Sequence, residues 1–285
     1  MARMSPRGLD IALWDLKGRH CQMPIGELLG GPYRTELPGY VTGLRVPRLS
    51  EKLELARQFV AYGYAGVKLF SGASVPALTE EIREVRAALG AEAFLGVDAI
   101  CKYTLSAATA VGRALDEARA AWFEAPLHAE DVAGHATLAR TLATPIAIGE
   151  TLRTPRQFEP WLRQRALAVA QPDVMWAGVT GTMRIAAFAD AHLVPVTLHT
   201  GVCTGIGMAA TWQVASALPG MLPQEHQHDL FATANSVLKT PLEENKGRLR
   251  VPRGTGLGVE VDAAAVAAIT TEHWVVDPNG RRQLA

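Results

Sequence analysis

Three acidic residues lie at regular intervals at the ends of apolar runs. Asp98 ends FLGVD, Glu124 ends AAWFE and Glu150 ends IAIGE, and each acid follows the previous one by 26 residues. One βα unit has about that length, so the spacing places the three side chains at equivalent positions on successive strands, at the rim where α/β barrels build their active sites. Each acid alone would also suit a solvated loop or a helix cap, but the repetition favours a shared role.

Three carboxylates that converge on one rim repel one another unless a cation lies between them. Ligation by oxygen atoms alone favours a hard ion, Mg²⁺ above all, with water or substrate in the remaining positions. The pattern therefore predicts a Mg²⁺ site formed by Asp98, Glu124 and Glu150.

Two further residues continue the series. Asp173 ends VAQPD, 23 residues after Glu150, and His199 ends VTLH, another 26 residues on. A carboxylate and an imidazole on neighbouring strands can form a hydrogen bond that fixes the histidine tautomer and raises its basicity, which suits a general acid or base. The alternatives are a helix cap for Asp173 and a histidine satisfied by a backbone carbonyl for His199.

A lysine lies in an otherwise apolar run. Lys68 ends the second strand-like segment, in AGVKLF. A buried cation beside a metal site could hold a substrate carboxylate or stabilise negative charge that develops on it; the alternative is a surface lysine. The remaining histidines are predicted to be surface residues on helices or loops: His20, His128, His135, His192, His226, His228 and His273.

These residues belong to a repeating pattern of strand-like and helix-like segments. The strand-like runs are short, apolar on both faces and separated by amphipathic stretches, which is typical of parallel strands covered by helices. Seven such units favour a closed (β/α) barrel over an open sheet. A glycine-rich stretch, GVCTGIG, only loosely resembles a dinucleotide-binding turn and comes late in the chain. The runs span residues 38–46, 65–70, 94–100, 120–126, 145–150, 167–174 and 195–201.

Both ends of the chain depart from this rhythm. PRGLDIALWDLKGRH is predicted to form an amphipathic helix, and ELLGG a second short helix that ends on glycine. Near the C-terminus, PLEENKGRLRVPRGTGLGVEVD predicts short strands with turns at residues 246–247 and 254–258. We therefore expect three parts: residues 1–37 outside the barrel, the barrel itself at 38–225, and a C-terminal segment at 226–285.

Composition restricts the class of protein. The 285 residues are 48% hydrophobic with a mean hydropathy of +0.08, and 28 basic residues balance 28 acidic ones. No basic stripe predicts a nucleic-acid or membrane partner. The three cysteines are odd in number and far apart, which suits a reducing cytosol. Because no long apolar stretch or signal peptide is recognisable, we expect a cytoplasmic protein.

Several short motifs, taken in order, resemble one known family. Their order and spacing are similar to those of the enolase superfamily, in its mandelate racemase branch, over nearly the whole chain. The muconate cycloisomerase branch would carry a lysine near Asp173, so it matches less well. The motifs are GLDIALWDLKGR, PIGELLGG, GVKLF, GVDAI, WFEAP, IAIGET, QPDVMWAGVTG, TLHTG and GTGLGVEV.

The resemblance implies a modified TIM barrel, (β/α)7β, in which residues 1–37 and the C-terminal segment belong to a capping domain. It assigns the acid–base pair to Asp173 and His199, and a substrate-binding acid on the eighth strand to Glu225. It implies that a metal-stabilised enediolate forms when the proton α to a carboxylate is removed. The expected partner is a small carboxylate substrate, and the expected assembly is a homo-oligomer. It assigns Mg²⁺ ligation to the same three acids: Asp98, Glu124 and Glu150.

Departures from the family pattern bear on the reaction. Racemases of this branch carry K-x-K on the second strand, whereas this chain has Lys68, Leu69 and Phe70. Racemisation needs a base on each face of the α carbon, and a phenyl ring cannot move a proton. The sequence therefore favours a sugar-acid dehydratase, an aldonate or aldarate lyase. The alternatives are a racemase or epimerase, a cycloisomerase, and a truncated barrel without activity. Ile100 also replaces a residue that is often polar in relatives.

The start of the chain is the largest departure. Family members carry further residues before the GLDIALWD motif, and these form most of the capping domain. We expect this chain to lack most of that domain through an incorrectly assigned start, a fragment or a natural truncation. Without the capping loops, the site would be more open to water, and apolar surface would be exposed.

Overall fold

The protein is described by a computed structural model that covers residues 6–220, 222–270, 274–276 and 282–284. It is an α/β fold in which parallel strands form the centre and helices cover them. The strands are apolar in sequence because one face meets the interior of the ring and the other meets helices. The parallel strands are β1 Glu36–Thr42, β2 Gly66–Phe70, β3 Phe94–Asp98, β4 Trp122–Glu124, β5 Ile146–Ile148, β6 Val169–Ala170 and β7 Gln224–Gln227.

Helices connect successive strands, and polar caps mark where several of them begin. The Thr104 hydroxyl accepts a hydrogen bond from the Ala107 amide, and the Asp131 carboxylate accepts one from the Gly134 amide. Such caps satisfy amides that the first helical turn leaves free. The connecting helices are α3 Leu49–Tyr62, α4 Val75–Leu89, α5 Leu105–Glu117, α6 Val132–Thr141, α7 Pro155–Arg163, α8 Val174–Asp190 and α9 Gly205–Ser216.

The segments predicted outside the barrel also form regular structure. The first N-terminal helix, the strand pair β8–β9 and its turn at Lys246 and Gly247 are confirmed; the second helix is present but lies at Ile25–Leu28 and ends before the glycines. The limits of the three predicted parts stay predictions. These outer elements are α1 Pro6–His20, α2 Ile25–Leu28, α10 His228–Asn235, α11 Ala263–Ile269, β8 Glu244–Asn245, β9 Arg248–Arg250, β10 Trp274–Val276 and β11 Arg282–Leu284.

The register of the strands decides which side chains face inward. Strands pair in chain order from β1 to β6, and β7 returns to pair with β1. Asp98 is paired with Glu124, and Lys68 with Gly96. Because side chains alternate along a strand, Lys68, Asp98 and Glu124 share the interior face, whereas residues between them such as Val97 join the core under the helices. The predicted parallel α/β barrel architecture is confirmed.

The seventh strand-like run is the irregular part of the ring. Residues 195–200, which we call the seventh-strand segment, pair with the preceding chain at only two isolated parallel bridges, Ala170 with Val196 and Asp173 with His199. Within the described residues, no backbone ladder joins this segment to β7, so the backbone pairing of the ring is not closed there.

Side chains bridge the gap that the backbone leaves. Each bond joins a hydroxyl or amide donor to a backbone carbonyl across the gap, at 2.7 to 2.9 Å. A side chain that bonds a main-chain carbonyl satisfies a buried group that a ladder would otherwise serve. The three bonds run from Thr197 Oγ1 to the Pro223 carbonyl, from Gln224 Nε2 to that of Leu198, and from Gln227 Nε2 to that of Thr200.

An aromatic cluster fills the interior of the ring below these polar groups. Tyr40 stacks on Phe94 with ring centroids 4.6 Å apart, and Trp122 meets both rings edge-on. Ala147 and Val169 complete the cluster, which is separate from the core under the helices. The barrel is therefore a packed core closed below its C-terminal mouth.

Helix α1 is fastened to α8 by one carboxylate. Both oxygens of Asp10 accept hydrogen bonds from Thr180, one from its amide at 3.0 Å and one from its hydroxyl at 2.7 Å. Gly178 interrupts α8 with φ of 75°, and a Cβ there would lie 2.6 Å from Asp10. Only glycine fits this position without strain.

Two of the predicted surface histidines are buried, which corrects the prediction. His135 packs against Trp161, and its Nδ1 lies 2.7 Å from the Asp131 carbonyl. His226 stacks on Tyr64, and burial lowers its pKa to about 3, so it is neutral. Contacts made in the folded state decide their burial. His20, His128, His192 and His228 are exposed as predicted, and His273 lies outside the described residues.

Two further expectations concern the cysteines and membrane-spanning segments. Cys21, Cys101 and Cys203 are free thiols. In the part of the chain that the structure describes, none of the helices combines the length and apolar character needed to cross a bilayer.

Candidate active site

Lys68 lies at the centre of a buried ion-pair network. Its ammonium group is 2.8 Å from Glu124 Oε1 and 2.9 Å from Glu225 Oε1, and its side chain is 1% exposed. Burial opposes the charged form, but the two carboxylates outweigh it and raise the pKa of Lys68 well above its usual value. Lys68 is therefore an inward-facing cation, and the surface alternative is wrong.

Glu225 lies on β7, which completes the ring next to β1. Its second oxygen accepts a hydrogen bond from the Thr200 amide at 2.9 Å. Burial favours the neutral acid, but the charges of Lys68 and His199 prevail and lower the pKa of Glu225. The predicted eighth-strand acid thus joins the lysine of the second strand.

Two residues that the sequence analysis did not single out orient Glu124. Gln171 Nε2 donates to Glu124 Oε2 at 2.8 Å, and Trp122 Nε1 donates to the same oxygen at 3.2 Å. Together with Lys68, they hold both oxygens of this buried carboxylate. The sequence did contain a signal for Trp122. Side chains alternate along a strand, so a residue two positions before Glu124 must point to the same side of β4 as Glu124.

Asp98 ends β3 beside Glu124. One of its oxygens accepts a hydrogen bond from the Ile100 amide at 2.8 Å. Burial raises the pKa of Asp98 to about 7, and the charge of Glu124 adds to this effect, whereas Lys68 opposes it. A carboxyl that resists ionisation in this way marks a place where negative charge lacks compensation.

His199 lies between two carboxylates. Its Nδ1 is 2.7 Å from Asp173 Oδ2, and its Nε2 is 3.0 Å from Glu150 Oε2. Burial opposes the imidazolium, but Glu225, Asp173 and Glu150 together raise the pKa of His199 well above its usual value. The hydrogen bond from His199 in turn lowers the pKa of Glu150.

Asp173 serves both roles that the sequence left open. While Oδ2 faces His199, Oδ1 accepts a hydrogen bond from the Met175 amide at 2.6 Å and caps α8. The cap fixes the carboxylate, and the carboxylate fixes the imidazole so that its Nε2 faces Glu150.

The arrangement contains a cluster that could hold a metal ion. Ligand atoms of Glu124, Glu150 and His199 lie within 4.8 Å of one another. Asp98 is not part of this cluster, although the charges of both glutamates contribute to its raised pKa. The cluster and the predicted triad therefore share Glu124 and Glu150 and differ in the third member.

Within this network of contacting side chains, the charges do not balance among the described residues. The acids are held by two basic side chains, Lys68 and His199. With every acid ionised and both bases charged, an excess of three negative charges remains. A divalent cation would remove most of this excess, so the donor set fits a hard ion. The five acids are Asp98, Glu124, Glu150, Asp173 and Glu225.

Comparison with known proteins identifies the family. Residues 51–265 match the enolase C-terminal domain-like family, and residues 1–30 match the N-terminal domain of the mandelate racemase and muconate lactonizing enzyme family. The chain belongs to the enolase superfamily. Its N-terminal domain match is partial, whereas its barrel match covers most of the chain.

Relatives in this superfamily include two kinds of enzyme. Arabinonate dehydratase of Saccharolobus solfataricus is 33% identical over 264 residues, which are 89% of this chain and 69% of the relative. D-galactarolactone cycloisomerase of Agrobacterium fabrum is 31% identical over 95% of this chain and 74% of its own length. An enolase superfamily member from Polaromonas sp. has a TM-score of 0.85 and 33% identity, over 91% of this chain and 70% of that structure. This enolase superfamily chain thus resembles both dehydratases and cycloisomerases.

Proposed function

We propose that the chain is a Mg²⁺-dependent lyase that dehydrates a sugar acid, an aldonate or aldarate, to a 2-keto-3-deoxy acid. The observation that carries this proposal is the position of His199, which Asp173 orients toward Glu150 and whose ring lies with ligand atoms of Glu124 and Glu150 within 4.8 Å of one another. An oriented imidazole beside a site for a divalent cation suits proton abstraction α to a carboxylate.

In this proposal Asp98, Glu124 and Glu150 hold the ion, as the sequence predicts, and Gln171 and Trp122 keep Glu124 in place. Bound Mg²⁺ would stabilise the negative charge that develops on the substrate carboxylate when the α proton leaves. Lys68 places a fixed positive charge below that position, and Glu225 lies beside it to accept a substrate hydrogen bond.

His199 acts first as a base and then as an acid. If Glu150 held the ion, His199 would lose a hydrogen bond that favours its charged form. The neutral imidazole then takes the α proton. The resulting imidazolium gives a proton to the β hydroxyl, which leaves as water, and the enol product becomes the 2-keto acid.

The absence of a second base supports dehydration over racemisation. Phe70 occupies the inward position two residues after Lys68, where a racemase of this branch carries lysine. A cycloisomerase is the second candidate because a relative with that activity, D-galactarolactone cycloisomerase, matches 95% of this chain. A homo-oligomeric assembly and a cytoplasmic location stay predictions.

The test is turnover of a panel of aldonic and aldaric acids with Mg²⁺, followed by detection of 2-keto-3-deoxy products. His199→Ala should lower turnover by at least about a hundredfold, since general acid–base catalysis contributes that much or more. His192→Ala, at an exposed site, is the matched control. Retained activity in His199→Ala would reject the role of His199.

Two other outcomes distinguish the alternatives. Exchange of the α hydrogen with solvent deuterium, without loss of water, would favour an isomerase. Stabilisation by Mg²⁺ with no reaction on any acid would favour a barrel that binds the ion but does not catalyse.

A further inference from the structure

Phe70 is an exposed aromatic ring at the mouth of the barrel. It shares the inward face of β2 with Lys68, and it is paired in register with Asp98 on the neighbouring strand. Adjacent strands lie about 4.8 Å apart, so the backbone of Phe70 is one strand spacing from a predicted metal ligand. Yet 48% of Phe70 is exposed, although side chains below it are buried. The ring therefore offers an apolar surface to whatever enters the mouth.

Arg45 lies over this ring. Its guanidinium carbon is 5.9 Å from the ring centroid of Phe70, and the residue belongs to the loop between β1 and α3 at the same mouth. Among the described residues, Arg45 forms no ion pair with a carboxylate. By contrast, Lys68 and His199 are each held by two acids. Arg45 is thus a cation at this side of the mouth with no ion pair among the described residues, as is Lys102 beside Gly72, but only Arg45 of the two lies over the Phe70 ring in the described structure.

The contact with Phe70 leaves the hydrogen-bonding capacity of Arg45 available. A guanidinium that contacts an aromatic ring through its face keeps its N–H donors at the edge, where they can bind a carboxylate with two parallel hydrogen bonds. The aromatic contact also stabilises the charge at an exposed site. Phe70 thereby limits the positions that Arg45 can adopt, which lowers the entropy that ligand binding would cost.

The predicted ion site and Arg45 lie at two positions of the mouth, and each could bind one end of a ligand with a carboxylate at both ends. We propose that Arg45, supported by Phe70, binds a second carboxylate of the substrate, so that the site prefers aldarates, which are dicarboxylic sugar acids, to aldonates. This inference rests on the proposed function, in which the ion receives the first carboxylate. A polyhydroxy chain then extends from the floor to the loop between β1 and α3.

A second arginine–aromatic contact on the other side of the ring provides a comparison. The Arg153 guanidinium carbon lies 4.5 Å from the ring centroid of Trp176, in the segments that follow β5 and β6. These strands lie across the ring from β1 and β2. Phe70 is in register with Asp98, whereas Trp176 lies on α8 and, in the described structure, is not paired with a predicted ligand; we therefore assign the second carboxylate to Arg45.

The experiment compares matched acids that differ only at the far end. Dissociation constants for galactarate and galactonate, and for two further aldarate–aldonate pairs, are measured by titration calorimetry in Mg²⁺, with His199→Ala added to every protein so that no acid is turned over. The proteins are the native chain and the variants Arg45→Gln, Arg48→Gln and Arg153→Gln. Arg48 lies on the same loop, is exposed and pairs with Glu51, so it is the matched control.

We expect the native chain to bind the aldarate of at least one pair about tenfold more tightly than the aldonate. Arg45→Gln should abolish that preference while leaving aldonate binding unchanged, and both other variants should retain it. Phe70→Leu, which removes the supporting ring, should reduce the preference about threefold. Equal affinities in the native chain, no binding of either class, an unchanged preference in Arg45→Gln, or its loss in Arg153→Gln instead would overturn the inference.

Turnover, followed separately, distinguishes this inference from the proposed function. An aldarate preference that depends on Arg45, without keto-acid product, supports the binding site and refutes the lyase. Keto-acid formation with a preference that ignores Arg45 supports the lyase and refutes the binding site.

Discussion

Two parts of the ring of strands are held together in different ways. We call strands β1 to β6 the first half, and the seventh-strand segment with its junction to β7 the second half. From β1 to β6, backbone hydrogen bonds fix each strand against its neighbour in register. Between β6 and β7, the chain is held instead by two isolated bridges and by hydrogen bonds from the side chains of Thr197, Gln224 and Gln227. Asp98 and Glu124 end strands in the first half, whereas His199 lies in the second. The predicted metal site therefore depends on backbone register, and the predicted base depends on a few side chains.

The largest expected effect is on Mg²⁺ binding, through Glu150, which also contacts His199 of the second half. Glu150→Gln removes one charged ligand, so Mg²⁺ should no longer stabilise the variant. In the native chain, an ion at 100 times its dissociation constant adds about 2.7 kcal/mol to the free energy of unfolding, which for a chain of this size raises Tm by several degrees. The measurement is the difference in Tm with and without Mg²⁺ for each protein.

Glu159→Gln on α7 is the control for this variant, because Glu159 is exposed and pairs only with Arg163 in the described structure. The control should keep the full Mg²⁺ effect. A Glu150→Gln protein that Mg²⁺ stabilises as strongly as the native chain would remove Glu150 from the site.

A smaller effect is expected from a change that weakens the second half. Gln224→Leu removes the bonds from its amide to the Leu198 carbonyl and the Thr200 hydroxyl, and leaves buried acceptors unsatisfied. The free energy of unfolding should fall by about 1 to 3 kcal/mol, and turnover should fall because His199 is next to Leu198. The rise in Tm on adding Mg²⁺ should stay the same.

Gln164→Leu, at an exposed position after α7, is the matched control and should change neither property. If Gln224→Leu lost turnover and Mg²⁺ stabilisation to the same degree, the two halves would be coupled and the comparison would not hold.

The smallest expected effect is a pH dependence that belongs to the first half. The pKa of Asp98 is about 7 in the folded chain, against an ordinary 3.8. Between these values the folded chain holds a proton that the unfolded chain releases, so Asp98 lowers the stability of the Mg²⁺-free protein as pH rises from about 4 through 7. Because Mg²⁺ needs the ionised carboxylate, its effect on Tm should be larger at pH 8 than at pH 6.

Asp98→Asn provides the control for that measurement. It removes the titrating group, so the Mg²⁺-free variant should lose less stability than the native chain between pH 6 and pH 8. Equal Mg²⁺ effects on the native chain at both pH values would show that Asp98 does not bind the ion.

The sequence was most informative where backbone geometry repeats. A βα unit has a nearly constant length, so the interval of 26 residues located the ends of β3 and β4, and the alternation along β2 explains why Lys68 faces inward. The seventh-strand segment was harder to predict. PVTLHTG has the composition of a strand, but its partner across the gap bonds through side chains, and no local pattern encodes that choice.

Contacts between distant residues limited the prediction of the site. Gln171 is an uncharged residue after an apolar strand, and nothing in VAQPD shows that its amide reaches Glu124, 47 residues earlier. The position of Arg45 over Phe70 likewise depends on how the loop after β1 folds back. His135 appears polar in sequence, yet it is buried because Asp131 and Trp161 provide its partners.

The contact between Asp10 and Thr180 extends the support of the mouth beyond the barrel. Asp10 holds the chain just after Gly178, which lies five residues from Asp173 on the same helix. A protease that removed α1 would thus leave the acids of β3 and β4 in place but remove a contact that supports the helix following Asp173. Such clipping would inactivate the enzyme before it unfolded the protein, so an intact N-terminal helix is a criterion of quality for any preparation used in an assay.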